Sequence, residues 1–368
     1  MKLYITKKAK SPYRTDFYNE LGKYVDLSII YEYEIASGRN ESWSKKQSEN
    51  HNEIFLKGIR LFNGYSISLG FSKYLKEKCG LIIVGEYSTL TGALIILYLR
   101  LKRISFILNI DGGIIKRDYW IKFKIKKFLL SSATYWLSPS KSSDDYLLHY
   151  GAKRNRIYRY PFTSIWESDI LSIPITYNEK EHIRNKLNLT TSGQIVLTVG
   201  QFIHRKGFDI LLKAHQYNND NVALIIIGGT PIREYLRIVK EYNLKNVYFI
   251  EFKVKSILAD YFKAADLFVL PTREDIWGLV INEAMGYGLP IITTEKCVAG
   301  LELIENNING YIVPNEDISE LSKRMKQILN DHELRKEMSL ANIKKIKKYT
   351  NESMAQKHLK ILQEISNN

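Results

Sequence analysis

Residues 271–294 read PTREDIWGLVINEAMGYGLPIITT, and the fold is decided there. The run just before, Leu267–Leu270 (LFVL), is wholly apolar, and Pro271 stops it. Near its end the stretch holds a second short apolar run, Pro290–Thr293. Short apolar runs without polar alternation are strands buried on both faces. Between the two lies a charged loop, Arg273-Glu274-Asp275, then Gly278 and a helical stretch over Val280–Tyr287. Strand, loop, helix and strand in this order give a parallel sheet, which takes ligands at the carboxyl ends of its strands. Gly278 lets a ligand approach the backbone closely. The amides of Leu279 and Val280 open the helix without carbonyl partners and suit a phosphate. Asp275 and Glu283 put a loop acid and a helix acid within reach of one ligand. A carboxylate accepts paired hydrogen bonds from vicinal hydroxyls such as those of a ribose or hexose. On spacing alone a plainer alternative stands beside this: Asp275 caps the helix and Glu283 is a solvated helix acid.

Working outward, the same grammar repeats. Ile195–Gly200, Val222–Gly229 and Val247–Ile250 join the two runs above to make five strands. Helical stretches at Phe208–Gln216, Ile232–Tyr242 and Ser256–Ala264 alternate with them. The first half is similar but looser. Strands are expected at Lys2–Ile5, Leu27–Tyr31, Leu81–Val84, Ile104–Ile110 and Thr134–Ser138, with a helix at Phe17–Lys23. Residues 39–53 are polar and read as a loop. The chain's 368 residues suit two domains. The aperiodic segment from Arg159 to Pro174 is the natural hinge. We therefore expect domains at 1–170 and 171–350, then a terminal helix at Glu352–Glu364.

Composition excludes several classes. At 45% hydrophobic and 25% charged, the chain has enough apolar material for two cores and is not disordered. Its two cysteines, Cys79 and Cys297, lie far apart and read as free thiols of a reducing compartment. The opening MKLYITKKAK lacks a secretory apolar core, and no window reaches the length of a membrane span. A cytoplasmic location is the expectation. Net charge is +15, with 28 basic and 16 acidic residues in 1–170. That half thus carries most of the excess and points to an anionic partner. Its densest segment, Ile115–Leu130 (IKRDYWIKFKIKKFLL), sets Lys116, Arg117, Lys122, Lys124, Lys126 and Lys127 among Trp120, Ile121, Phe123, Ile125 and Phe128. A basic helix with aromatic residues is a candidate for an anionic membrane surface. An ordinary helix with one core-packed stripe and solvated lysines is the competing account.

The motif Asp275-x7-Glu283-Ala284, followed by Gly288-Leu289-Pro290, resembles the donor-site motif of retaining glycosyltransferases of family 4, which have the GT-B fold. Val199-Gly200-Gln201, Arg205-Lys206-Gly207, Ile225–Gly229, Glu302-Leu303-Ile304 and Asn309–Pro314 continue the likeness in order, which is strong over about 195–345. The resemblance implies an α/β protein of two Rossmann-like domains facing across a cleft: an acceptor lobe and a nucleotide-sugar donor lobe, with the last helix crossing back to the first. It implies that Glu283 binds the donor ribose, Asp275 the transferred sugar, and Lys206 the diphosphate, with Gly200, Gly278, Leu279 and Val280 lining the donor. Asp111, in Asn109-Ile110-Asp111-Gly112-Gly113, matches the acid or histidine that faces the reacting sugar. An Asx-turn role is the alternative there. Two departures stand out. The family usually has Glu where this chain has Asp275, and often Arg where it has Gln201; Arg205 is a candidate for supplying that charge.

The implied reaction transfers a sugar from a UDP-linked donor, with retention, to a hydroxyl of a glycan or lipid-linked acceptor in bacterial polysaccharide synthesis. Neither cofactor nor metal is expected, since the seven histidines show no ligand spacing and no Asp-x-Asp is present. A related sugar-nucleotide epimerase is the main alternative. A dinucleotide oxidoreductase is disfavoured, because Gly200-Gln201-Phe202 and Gly228-Gly229-Thr230 do not extend to G-x-G-x-x-G. A nucleic-acid-binding protein would need a recognisable module, and none is legible.

Overall fold

The computed structural model describes residues 1–33, 46–60, 66–76, 80–189, 193–218 and 221–367. Cys79 and part of the polar segment 39–53 lie outside them. The chain divides into two units, Met1–Ser164 with Tyr349–Asn368, and Ile165–Lys348. The chain passes between them at 164/165 and 348/349, where the sequence reading put 170/171 and 350/351.

In the first unit β1 (Lys2–Lys7) leads into α1 (Pro12–Gly22) and β2 (Asp26–Tyr31). Next come β3 (Asn52–Phe55), β4 (Lys57–Arg60), β5 (Ser66–Leu69) and β6 (Leu81–Val84). The unit continues with α2 (Leu90–Leu101), β7 (Ile107–Asn109), α3 (Trp120–Leu130), β8 (Tyr135–Ser138), α4 (Lys141–His149) and β9 (Ile157–Arg159). Seven strands form one parallel sheet in the order β3-β2-β1-β6-β7-β8-β9, and β4 and β5 pair antiparallel apart from it. The sheet's inner strands β1, β2, β6, β7 and β8 are apolar enough to be covered on both faces, as a parallel sheet requires. β3 corrects the loop reading of 39–53. Its Asn52 and Glu53 are polar because the strand lies at the sheet edge, where Ile54 and Phe55 pair with Ile30 and Tyr31.

The second unit carries α5 (Tyr177–Lys186), β10 (Gln194–Val199), α6 (Phe208–His215), β11 (Val222–Ile227) and α7 (Arg233–Glu241). It continues with β12 (Val247–Ile250), α8 (Lys255–Ala264), β13 (Leu267–Leu270), α9 (Leu279–Gly286) and β14 (Ile291–Thr294). α10 (Val298–Leu303), β15 (Gly310–Val313), α11 (Ile318–Asn330) and α12 (His332–Ile346) complete it. Its sheet, again parallel, has the order β12-β11-β10-β13-β14-β15. The sequence reading gave five strands, and β15 is a sixth: glycine and tyrosine dilute its apolar run. The terminal α13 (Asn351–Asn367) belongs to the first unit, where the His358 ring lies 4.8 Å from the Phe17 ring of α1. Each unit thus has the doubly wound, Rossmann-like form of GT-B proteins.

Each sheet has one place where strand order reverses, and such points open a ligand crevice. In the second unit it lies between β10 and β13, so the loops after Val199 and Leu270 border it. In the first it lies between β1 and β6, at Lys7 and Gly85.

Candidate active site

The two loops of the second unit's crevice are fastened to each other. Arg273 N–H and Thr272 Oγ1 both donate to the Arg205 carbonyl, at 2.8 and 2.9 Å. The Arg273 guanidinium donates to the His204 carbonyl at 2.8 Å and forks onto Asp209 at 2.8 and 2.7 Å. Burial opposes ionisation of Asp209, but Arg273 overrides it and holds the carboxyl below its ordinary range. Gly207 sits where the loops cross, at φ +69°, and a Cβ there would lie 2.0 Å from the Pro271 carbonyl oxygen. Only glycine fits that crossing.

This scaffold brings three of the expected residues together. Lys206 Nζ lies 2.5 Å from Asp275 Oδ2, and Arg205 Nη1 lies 3.1 Å from Oδ1 and 2.6 Å from the Glu274 carbonyl. Asp275 is buried, and its backbone bridges to Cys297. Burial, and next the Asp275 charge, push the Cys297 thiol up to about 12, so it stays protonated at neutral pH. Gly278 closes the loop at φ +103° with a Cβ position 2.8 Å from Cys297 Sγ. α9 then opens with Leu279 and Val280 partly exposed and their amides available to an anion. Gln201 is exposed, while Gly200 lies along the stem of Lys206. Glu283 lines a small pocket with Asp169, Lys255, Phe262 and Tyr287. Asp275 and Lys206 are 69 residues apart in sequence, so their pairing had no signal in the motif. The role of Arg273 was equally hidden.

In the first unit, Asp111 follows β7 and takes the second crevice's two buried cations. It pairs with Arg14 of α1 and, at 3.2 Å, with Lys7 of β1, which also donates to the Gly85 carbonyl at 2.9 Å. Asn109 Nδ2 adds a bond at 3.1 Å. Burial raises the carboxyl's pKa, and Arg14 and Lys7 more than reverse this, to about 2. Asp111 is thus held as an ion between two cations. His358, packed on Phe17 and Tyr160, is held neutral by burial, its pKa down to about 4. Lys7 and Arg14 were missed because a lysine after a strand and an arginine in a helix ordinarily read as solvated.

The basic segment is shorter as a helix than the sequence reading, since α3 starts at Trp120. Leu129 and Leu130 are buried and Phe123 packs on the core. Trp120, Ile121 and Ile125 remain 72%, 63% and 55% exposed, beside exposed Lys124, Lys127 and Phe128. Lys116 and Arg117 precede the helix and are exposed. Lys126 departs from the expected outward set: it turns in to Asp118 at 2.8 Å, which Lys122 also reaches at 3.1 Å. Among the described residues no cluster of three or more His, Cys, Asp or Glu could hold a metal, and no helix is long and apolar enough to cross a membrane.

Comparison with known proteins gives these features relatives. Residues 179–345 match the family described as glycosyl transferases group 1. The D-inositol 3-phosphate glycosyltransferase of Xylanimonas cellulosilytica is 26% identical over 187 residues, 49% of this chain and 44% of that protein. The N,N'-diacetylbacillosaminyl-diphospho-undecaprenol alpha-1,3-N-acetylgalactosaminyltransferase of Campylobacter jejuni is 21% identical over 264 residues, 72% of this chain and 67% of that protein. The chain spans about half the length of the first curated relatives it matches. Among solved structures, HepE of Anabaena in complex with UDP-glucose superposes with a TM-score of 0.74 at 15% identity, covering 100% of both chains. At that identity the likeness is one of fold.

Proposed function

Residues 179–345 match the family described as glycosyl transferases group 1, and on that likeness we propose that the protein moves a sugar from a UDP-sugar to a hydroxyl of a glycan or lipid-linked acceptor in bacterial surface-polysaccharide synthesis. The observation that carries this reading is the meeting of Asp275, Lys206 and Arg205 at the β10/β13 crevice, beside the open amides of α9. Lys206 and the amides of Leu279 and Val280 take the diphosphate, Glu283 the ribose hydroxyls, and Asp275 the transferred sugar. HepE supports the choice of UDP, and the Campylobacter jejuni transferase, by its name, supports a diphospholipid-linked acceptor.

In the proposed reaction the acceptor oxygen bonds to the anomeric carbon while the bond from that carbon to the diphosphate breaks. The departing phosphate oxygen takes the acceptor proton on the same face, so configuration is retained and UDP leaves. The protein supplies positioning and charge stabilisation. Lys206 and helix amides carry the leaving-group charge, with no metal assigned to that task. A panel of nucleotide sugars tests the reading by thermal stabilisation. A donor at 100 times its dissociation constant adds about 2.7 kcal/mol, and the account expects this for a UDP-sugar and not for a dinucleotide.

The first unit is assigned the acceptor and an anionic membrane surface, at the cytoplasmic face, rather than nucleic acid. The exposed Trp120, Ile121 and Ile125 among lysines support this. Each basic residue near such a surface contributes about 1 kcal/mol. The protein is expected to sediment with anionic vesicles and much less with neutral ones. Replacing Trp120 by Ser together with Lys124 and Lys127 by Gln should release it. Equal, negligible sedimentation with both vesicles at low salt would defeat the assignment.

A further inference from the structure

The two cations that a diphosphate needs are already occupied. Lys206 and Arg205 hold one oxygen each of Asp275, the acid assigned to the transferred sugar. The pair is not a loose surface contact: both side chains of the Lys206–Asp275 pair are 12% exposed. The Lys206 stem lies against Gly200, where a Cβ would come within 3.3 Å of Cε. The loops bearing both residues are stitched through Arg205, Thr272 and Arg273. A carboxylate flanked by two cations presents them with the charge and oxygen spacing of a phosphate edge.

We infer that Asp275 is an internal stand-in for the donor diphosphate, and that donor binding passes Lys206 and Arg205 from its carboxylate to the phosphates. The released Asp275 oxygens then accept from the hydroxyls of the sugar. This rests on the donor reading above and adds an exchange to it. UDP alone must break the ion pair and leaves Asp275 without hydroxyls to accept from. UDP-sugar breaks the same pair and gives the acid new partners. Asp275 therefore opposes the free product more than the substrate, which favours release of UDP after transfer.

The exchange has a sign that a simple sugar contact lacks. Removing the carboxylate should strengthen UDP binding while weakening catalysis. Calorimetry on the full chain measures it, with UDP and uridine as probes against the wild type, Asp275→Asn and Asp275→Ala. The expected result is UDP binding about tenfold tighter in both variants, the value of one charge-assisted contact, with uridine unchanged and turnover reduced. In a Lys206→Met background the gain should shrink, because the competition is for Lys206. UDP binding to the wild type at equal or greater strength than to both variants overturns the exchange alone. No UDP binding to any of the proteins overturns the donor reading and the exchange with it.

Discussion

Lys206→Met is expected to cut turnover by roughly 10²–10³-fold, the usual cost of losing one preorganised charge at a developing anion. The methionine keeps the stem that lies along Gly200, so the loop crossing should survive. UDP and UDP-sugar should both bind more weakly, and uridine should bind as before, because the lost contact is to phosphate. Steady-state kinetics with calorimetry on all three ligands reads this out. Equal weakening of uridine would make Lys206 a structural residue. The loss for UDP should be smaller than a free lysine would give, since Asp275 also loses its partner at 2.5 Å.

The second large effect concerns stability. Asp111→Ala leaves Arg14 and Lys7, 5% and 10% exposed at the side chain, as buried cations without their carboxylate. Breaking a buried pair costs about 3 kcal/mol or more, a large part of the 5–15 kcal/mol that holds a typical domain. The sign with pH follows from the lowered pKa. Asp111 is about 2 when folded against an ordinary 3.8. Its stabilisation is therefore fully present above pH ~4 and is lost as pH falls through about 2. Amide exchange should quicken in β1 and α1 and stay unchanged in β10 and β13. In the variant the part of the acid transition between pH 4 and 2 that Asp111 supplies should disappear. Unchanged exchange in β1 would show that Arg14 and Lys7 do not depend on this acid.

The second unit was the more legible in sequence because its strands are uninterrupted apolar runs. Val247–Ile250 and Leu267–Leu270 coincide with β12 and β13. β15 escaped because Gly310 and Tyr311 dilute a four-residue run, and β3 because an edge strand tolerates Asn52 and Glu53. The β4–β5 hairpin went unread although Ser66–Leu69 alternates polar and apolar residues, and it is Ser68 that is buried there while Ile59 and Leu69 are exposed. At the site, glycine and spacing pointed to Asp275 and Gly278 in a strand-to-helix loop, and the family resemblance added Lys206. What could not be read was partnership. Lys7 meets Asp111 across 104 residues, and Arg273 meets Asp209 across 64. Such contacts follow from the strand order that brings β1 beside β6 and β10 beside β13, and neither order is written in local periodicity. The outward aromatic face of α3 is a related case. The sequence shows that Trp120 and Ile121 lie in a basic segment, and only packing decides that they are left uncovered.

The most direct test of the account is transfer itself. The full chain is incubated with the UDP-sugar selected by thermal stabilisation and with a diphospholipid-linked or glycan acceptor, and the product is examined by NMR. The expected result is release of one UDP per sugar transferred, a new glycosidic bond with the donor's anomeric configuration, and loss of product formation in Lys206→Met. A product of inverted configuration would contradict the retaining reading. Isomerised donor without any acceptor product would make the protein an epimerase and not a transferase.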